Sequence, residues 1–291
     1  MLLFTKDGKT MIYSVENEYL ALQVNDIGAE LHSLKSKKTG EEYIWYGTPE
    51  IWNGQSPILF PVIGRVLDDK YRLNGKEYTM PKHGIVRRKP FEFYEKTENS
   101  LTFVKNANDE TKAIYPYDFS LFVKYELLGS ALKVSHTVVN NSGDTMLYSF
   151  GAHPGFNCQV GDYLEFECNE TLETERIEEY LTDKKFPVLN NEKKIVITDT
   201  IFENDALIFS GFKSKKISLK SDRHNRSVDF TLECPILGIW AKPGAPYVCL
   251  EPWWGIDDTY DRKDDLSQKR GIMELSAGKS RTFCWKAEIN E

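Results

Sequence analysis

The sequence lacks any run of about 20 apolar residues, the length that a helix needs to cross a bilayer. Residues 1–7 carry only a few apolar side chains before charges begin, so we do not expect them to form the core of a secretory signal. Cysteine is scarce as well, with five in 291 residues, an odd number without C-x-x-C spacing. This pattern argues against a zinc ribbon and a disulfide scaffold, and it predicts reduced thiols in a cytoplasmic protein.

Positive charge is in deficit. Lysine and arginine total 37 against 44 aspartates and glutamates, which leaves a net charge of −7 and a pI near 5.5. Nucleic-acid binding needs a concentrated basic surface, so no such partner is expected. Hydrophobic residues (41%) and aromatic residues (13%) are sufficient for a packed core. The length admits two domains, but all-β architectures often fill it with one.

Apolar and polar residues alternate along most of the chain, which is typical of half-buried strands. The clearest apolar face consists of Phe119, Leu121, Val123, Tyr125 and Leu127. Asn74-Gly75 lies between two short alternating runs and predicts a two-residue hairpin turn. Later strands are expected over 216–220, 228–232, 238–241, 247–250 and 281–287. No internal repeat, linker or βαβ rhythm is visible, so the sequence predicts an all-β fold, an antiparallel sandwich or barrel forming one domain over residues 1–291.

Two short motifs fit neither a helix nor a strand comfortably. One is Gly151-Ala152-His153-Pro154-Gly155-Phe156-Asn157, and the other is Leu250-Glu251-Pro252-Trp253-Trp254-Gly255. The prolines after His153 and Glu251 favour extended backbone, so each residue is expected to project from a strand end. Either motif alone is typical of a strand end. Together they offer an imidazole and a carboxylate near aromatic rings, a candidate acid/base pair for a polyhydroxylated ring.

A third element precedes these motifs. Gly64-Arg65 leads into the Asn74-Gly75 hairpin, which leads into His83-Gly84. With G-R, N-G, H-G, H-P-G-F-N and L-E-P-W-W-G in this order, the chain resembles the aldose 1-epimerase (galactose mutarotase-like) superfamily. The last motif is most similar to the LacX-type bacterial branch. The resemblance covers residues 13–286. It implies an antiparallel β-supersandwich with a sugar cleft on one broad sheet, and strand and loop rather than helix over 171–185.

The resemblance also implies roles for individual residues. His153 matches the histidine that protonates the ring oxygen of the sugar, and Glu251 matches the glutamate that takes the proton from the anomeric hydroxyl. His83 matches a second histidine near the ring oxygen. Arg65 matches an arginine that contacts sugar hydroxyls, and Asp205 matches the sugar-binding aspartate.

Anomer interconversion fits such a pair of residues. A base removes the C1 hydroxyl proton while an acid protonates the ring oxygen, and the roles then reverse. At its ordinary pKa a histidine can both donate and accept a proton near neutral pH. Burial among apolar rings can raise the pKa of a glutamate toward the same range. Trp253 and Trp254 are candidates for those rings, and because neighbours on a strand face opposite ways, at most one is expected to face the cleft. No hydride, phosphoryl or electron transfer occurs, so no metal or organic cofactor is expected.

Other aromatic and histidine residues are predicted to be structural. His136 shares the apolar face of its strand, and Trp45 and Trp240 are interpreted as core residues. His32 and His224 lie among polar neighbours and are expected at the surface.

Asp257, Asp258 and Asp261 follow the second motif and raise the question of a cation site. Their spacing lacks the glycine and terminal glutamate of a calcium loop. A solvated acidic loop without metal is therefore predicted.

Alternatives remain open at this stage. Arg87-Arg88-Lys89 either binds the phosphate of a hexose 6-phosphate or forms a charged turn. A non-catalytic sugar-binding protein would not need both His153 and Glu251, and a glycoside hydrolase usually needs two carboxylates. For every one of these functions the expected ligand is a small-molecule sugar. The protein is expected to be a monomer or homodimer.

Overall fold

Antiparallel strands form nearly all the regular structure of the computed structural model, which describes residues 3–4, 10–262 and 265–291. The N-terminal residues considered above as a signal therefore lie mostly outside the described part. The first half contains β1 (Leu3–Phe4), β2 (Met11–Glu16), β3 (Leu20–Asn25), β4 (Glu30–Ser36), β5 (Ile58–Leu59), β6 (Lys70–Leu73), β7 (Lys76–Thr79), β8 (Glu92–Lys96), β9 (Ser100–Asn106), β10 (Phe119–Leu128), β11 (Ala131–Asn140) and β12 (Met146–Tyr148). The second half contains β13 (Phe150–Ala152), β14 (Gly155–Asn157), β15 (Tyr163–Ile177), β16 (Leu181–Val196), β17 (Leu207–Ser210), β18 (Lys216–Ser221), β19 (His224–Thr231), β20 (Ile236–Trp240), β21 (Tyr247–Trp254), β22 (Met273–Leu275) and β23 (Ser280–Asn290).

Helical segments are short. The helix α1 covers Asp109–Ile114, and two 3₁₀ turns cover Leu67–Asp69 and Leu266–Gln268. At the start of α1 the Asn108 side chain accepts from the Thr111 amide, and the Thr111 hydroxyl accepts from the Asn108 amide. This reciprocal capping box satisfies two amides that a helix start leaves unpaired. Among the described residues, no helix has the length and apolarity of a bilayer-spanning segment.

One sheet of fifteen strands dominates the fold. Its main order is β5-β13-β21-β20-β17-β15-β18-β19-β23-β11-β10-β9-β8, while β14 pairs with β21 and β16 with β15. The strands β1 to β4 form a separate four-stranded sheet. Tyr13 of that sheet stacks on Phe93 at 4.7 Å and meets Phe103 edge-on at 5.3 Å, so the small sheet packs against β8 and β9. This confirms the predicted antiparallel all-β fold.

Local predictions of strand and turn are confirmed in detail. The face of β10 that begins at Phe119 is buried at every second residue. Asn74 (φ 51°) and Gly75 (φ 76°) both take the left-handed conformation that a type I′ hairpin turn requires, and they join β6 to β7. Residues 171–185 fall largely in β15 and β16, as strand rather than helix. The five predicted later strands correspond to β18, β19, β20, β21 and β23, although β19 and β20 each end one residue earlier than predicted, at Thr231 and Trp240.

The strand that carries the second motif runs further than predicted. Glu251 was expected at a strand end, but β21 continues through Pro252 to Trp254. Residue 250 donates its amide to the carbonyl of Pro154, and residues two apart on a strand direct their amides to the same side. The backbone nitrogen of Pro252 therefore points to the interruption between β13 and β14, on the side away from β20. Because proline has no N–H there, no hydrogen bond to β20 is lost. His153 does follow directly after a strand, β13.

Candidate active site

The two sequence motifs meet at one cavity, because β13 and β21 are neighbours in the large sheet. The His153 Nε2 atom lies 3.2 Å from Glu251 Oε1. The two side chains are only 11% and 2% exposed. The candidate acid and base are thus in direct contact, although 98 positions separate them in the chain.

The His153 ring is held by its neighbours. Its backbone amide donates to the carbonyl of Pro57, and the ring lies 5.1 Å from Trp52 and 5.6 Å from Trp240. Burial lowers the pKa of His153 to about 3. The imidazole is therefore neutral in the free protein.

The Glu251 carboxylate is fixed from the same strand. Trp253, two residues further on and hence on the same face, donates its indole Nε1–H to Glu251 Oε2 at 3.2 Å. Burial raises the pKa of Glu251 well above its ordinary value, and the charge of Asp205 adds to this effect. The Trp253 hydrogen bond and the charge of Lys82 act in the opposite direction. Burial consequently favours a protonated Glu251 beside a neutral His153.

Glycines on both flanking strands make room for Trp253. A Cβ atom at Gly238 of β20 would lie 2.7 Å from Trp253 Cζ2, and one at Gly151 of β13 would lie 3.0 Å from Cδ1. The indole therefore occupies a slot that side chains on either neighbour would fill. Trp254 points to the other face, where its ring lies 4.9 Å from Phe283. As predicted, only one of the two tryptophans faces the cavity.

Filling this slot is expected to impair function while leaving the fold intact. Gly238→Ala should displace the indole and with it Glu251, and a misplacement of about 1 Å can cost about 10²-fold in rate. Anomer exchange of a hexose, the activity that the sequence resemblance implies, can be followed by NMR to test this. Gly143→Ala is the matched control, because no heavy atom of the described residues lies within 4 Å of its ideal Cβ position. Equal activity of the two variants would contradict the role of the slot.

His83 lines the same cavity at a strained position. Its φ is +66°, and its Nδ1 accepts from the Gly64 amide at 3.2 Å while its own amide donates to the Gly64 carbonyl at 2.7 Å. Burial lowers the pKa of His83 well below its usual value. A neutral ring that accepts at Nδ1 carries its proton on Nε2, so the Nε2–H of His83 can act as a hydrogen-bond donor. Its ring centre lies 6.1 Å from that of His153.

Charged side chains from other segments also line the cavity. Asp205, in the turn before β17 (φ +68°), lines it, as do Arg87 and Lys82. Partial burial lowers the pKa of Arg87, and the charge of Arg88 acts in the same direction while Glu30 opposes it. The cavity therefore combines carboxylates near Glu251 with cations on the side of His83.

Arg65, expected to contact the ligand, does not line this cavity. The side chain is 39% exposed, with NH1 3.9 Å from Asp69 Oδ1. Its backbone amide instead donates to Asp257 Oδ1 at 2.9 Å, and Asp257 takes the place at the cavity wall beside Gly64. Arg88 is exposed and also lies outside the cavity wall.

The acidic loop prediction was wrong for two of its residues. Asp257 is 2% exposed and lines the cavity, and Asp258 is 1% exposed. Both are buried because their carboxylates accept backbone amides, Asp257 from Arg65 and Asp258 from Leu67 at 2.8 Å. Asp258 is also paired with Arg262. Nothing in the spacing of these aspartates indicated the contacts, since the partners lie about 190 positions away.

The structure places several aromatic and basic residues differently from the positions predicted from the sequence. Trp240 was expected in the core but is half-buried and lines the cavity, together with Trp52 and Lys82, which the sequence did not single out. His32 was expected at the surface but is half-buried, with Nδ1 2.6 Å from Gln55 Oε1.

The structure agrees with the remaining predictions for histidine and tryptophan. Trp45 and His136 are buried, and His224 is exposed.

One group in the described residues has the spacing of metal ligands. The donor atoms of His153, Cys249 and Glu251 all lie within 4.8 Å of one another. Two of them belong to the contacting pair, and burial raises the pKa of the Cys249 thiol well above its ordinary value. The Cys249 thiol therefore lies beside the contacting pair of His153 and Glu251.

This arrangement agrees with the comparison to known proteins. A family model described as aldose 1-epimerase matches residues 11–262. The chain belongs to the aldose 1-epimerase family. Protein LacX (chromosomal) of Lactococcus lactis subsp. lactis is 34% identical over 286 residues, covering 91% of this chain and 95% of LacX.

Solved structures of similar proteins share the fold of this aldose 1-epimerase family member. A galactose mutarotase related enzyme from Lactobacillus acidophilus superposes with a TM-score of 0.92 at 34% identity, covering 97% of this chain and 98% of the other. A galactose mutarotase-like protein from Lactobacillus casei ATCC 334 gives 0.90 at 29% identity, with 96% and 100% covered. The LacX-type branch and the galactose mutarotase-like fold inferred from the sequence motifs are confirmed.

Proposed function

We propose that the protein is an aldose 1-epimerase that interconverts the α and β anomers of a hexose, with Glu251 as the base and His153 as the acid. The observation that carries this proposal is the 3.2 Å contact between His153 Nε2 and Glu251 Oε1 in a buried cavity. The anomeric hydroxyl and the ring oxygen are bonded to the same carbon. An acid and a base that serve these two oxygens must therefore lie side by side.

The proton balance of the reaction fits the pair. Ring opening starts with a Glu251 carboxylate and a His153 imidazolium. Glu251 takes the O1 proton, C1=O forms as the bond between C1 and the ring oxygen breaks, and the ring oxygen takes the proton from His153. The products are a protonated Glu251 and a neutral His153, the state that burial favours in the free protein. Rotation about C1–C2 and the reverse transfers close the ring as the other anomer.

The free and reactive states of the pair contain the same number of protons. They differ by one transfer across the contact between His153 and Glu251, so no proton has to come from solvent. His83 can donate from Nε2 to a sugar oxygen, and Asp205 can accept from a sugar hydroxyl. This division of labour needs no cofactor.

The test is a panel of freshly dissolved α-anomers, with and without a 6-phosphate, followed by polarimetry or exchange NMR. Acceleration of anomer exchange over the spontaneous background would support the proposal. Sugar binding without any acceleration would contradict it and leave a sugar-binding protein on the same fold.

A hexose 6-phosphate is the second candidate substrate. Arg87 and Lys82 both line the cavity and offer cationic groups on one side of it. A phosphate held between them would favour the phosphorylated sugar over the free one. The exposed Arg88 has no place in this arrangement.

If the substrate carries a phosphate, Arg87→Gln should lower kcat/KM for the hexose 6-phosphate by about 10–100-fold, the value of a lost hydrogen bond to a charged group. The free hexose should be much less affected. Arg88→Gln removes the same charge outside the cavity and serves as the control. Equal losses for free and phosphorylated sugars would remove the argument for a phosphate site.

A further inference from the structure

A cysteine lies beside the contacting pair of His153 and Glu251, on the same face of the sheet. Cys249 precedes Glu251 by two residues on β21, and residues two apart on a strand project to the same side. The Cys249 Sγ atom, a ring nitrogen of His153 and a carboxylate oxygen of Glu251 all lie within 4.8 Å of one another. Three different donor atoms therefore meet at one point of the active site.

This set of donors suits zinc. Thiolate, imidazole and carboxylate are the usual protein ligands of zinc, with bonds of about 2.0–2.3 Å, and sites open to other ligands typically use three of them. Tetrahedral geometry with such bonds places neighbouring donor atoms about 3.3–3.6 Å apart. The 3.2 Å between His153 Nε2 and Glu251 Oε1 is close to this spacing. The Cys249 thiol reaches it by an approach of about 1 Å.

The charges of such a complex balance. A Zn²⁺ ion bound by a Cys249 thiolate, a Glu251 carboxylate and a neutral His153 imidazole forms a group without net charge. A neutral group avoids much of the free-energy cost of placing an isolated charge in a buried site. Binding releases the thiol proton of Cys249 and the proton carried by the pair of Glu251 and His153, because metal ligands must be deprotonated.

The active-site cavity supplies the entry route and the fourth coordination position. His153 and Glu251 line the cavity, whereas Cys249 lies behind them and is fully buried. An ion that enters through the cavity meets the imidazole and the carboxylate first, and its remaining position faces the cavity, where water can bind. In the proposed reaction the anomeric and ring oxygens of the sugar approach the pair from this same side. The ion and the sugar therefore need the same atoms.

We propose that His153, Cys249 and Glu251 form an inhibitory site for a divalent cation that binds sulfur and nitrogen ligands, such as Zn²⁺. The ion is an inhibitor rather than a cofactor, because it takes the lone pairs with which the acid and the base transfer protons. This inhibitory consequence rests on the proposed epimerase function, whereas binding of the ion is measurable without catalysis. Mg²⁺ and Ca²⁺ prefer oxygen ligands, so neither should inhibit.

The first experiment measures binding with Co²⁺, which occupies tetrahedral zinc sites and, unlike Zn²⁺, gives visible and near-ultraviolet absorption. The wild type should show a thiolate-to-cobalt charge-transfer band, and Zn²⁺ should remove it, because zinc binds such donors more tightly than cobalt. Cys249→Ser and Cys249→Ala should each abolish the band and weaken Co²⁺ binding by at least about 10-fold, the smallest usual effect of losing even an outer-shell partner. Circular dichroism checks that both variants are folded.

Cys284→Ser is the control for this measurement. Cys284 is a free thiol on β23 whose Sγ lies 3.4 Å from Ser135 Oγ, and it is not one of the three donors. This variant should keep the band and the affinity of the wild type. A wild type without the band, or a band that persists in both folded Cys249 variants, would overturn the proposal, whether or not the protein accelerates anomer exchange.

The second experiment follows anomer exchange of a hexose by NMR while Zn²⁺ is added. Zn²⁺ should inhibit the wild type in competition with the hexose, and a chelator should restore the rate. The inhibition constant should rise by at least about 10-fold in Cys249→Ser and stay unchanged in Cys284→Ser, each variant being compared with its own metal-free rate. Equal inhibition of the wild type and Cys249→Ser would contradict the proposed site. A wild type that binds Co²⁺ through the thiolate but never accelerates exchange would refute the epimerase function and leave the metal site supported.

Discussion

Replacing Glu251 by glutamine is expected to lower the rate of anomer exchange by about 10²–10⁴-fold, the usual contribution of a positioned general base. Glutamine keeps the shape of the side chain and an oxygen that can accept from Trp253, but it cannot take the C1 proton. Sugar binding should persist, because the hydroxyl contacts proposed for His83 and Asp205, which both line the cavity, do not depend on this proton. Exchange NMR against the spontaneous background gives the measurement.

His153→Asn should cost a similar factor, because it removes the proposed acid of the same relay. The two groups contact each other at 3.2 Å, and in the proposed mechanism they act together, so the double variant should be little slower than either single variant. Activity of Glu251→Gln within a few-fold of wild type would show that this residue is not the base. Multiplicative losses in the double variant would instead indicate that the two groups act independently.

Replacing Asp258 by alanine is expected to lower the free energy of unfolding by about 3–5 kcal/mol, the effect of removing one partner of a buried ion pair. Asp258 and Arg262 have side chains 1% and 3% exposed, so the substitution leaves a buried guanidinium without its carboxylate. The same carboxylate accepts the Leu67 amide, which would also lose its partner. Chemical denaturation of the wild type and the variant measures the difference.

Glu16→Ala is the matched control, because it breaks a pair with Lys37 whose side chains are 65% and 38% exposed. Exposed ion pairs contribute about 0–1 kcal/mol, so this variant should unfold almost like the wild type. A loss below 1 kcal/mol for Asp258→Ala would contradict a stabilising role of the buried pair.

The fold followed from patterns that are local in sequence. Alternation from Phe119 onward identified the buried face of β10, and Asn74-Gly75 identified a hairpin, because side-chain direction on a strand and the backbone preference of a turn depend on near neighbours. The order of the motifs identified the family. The spacing of Glu251 and Trp253 likewise placed both side chains on one face of one strand.

Part of the cavity wall could not be predicted in this way. Trp52, Trp240 and Lys82 line it because of the order of strands and loops around β21, and no pattern near each residue indicates that position. Arg65 is part of a motif that matches the family, yet its side chain lies outside the cavity. Its backbone amide donates to Asp257, and it is Asp257 that lines the cavity.

The sequence by itself determined the strands, the turns, the family and the candidate pair His153 and Glu251, since each depends on short-range patterns or on motif order. Tertiary structure decided which other side chains reach the pair, and it decided that the aspartates after Glu251 are buried. Burial depends on partners that pack from distant parts of the chain. Asp257 became part of the cavity wall only when the chain brought Arg65 beside it from 192 positions away.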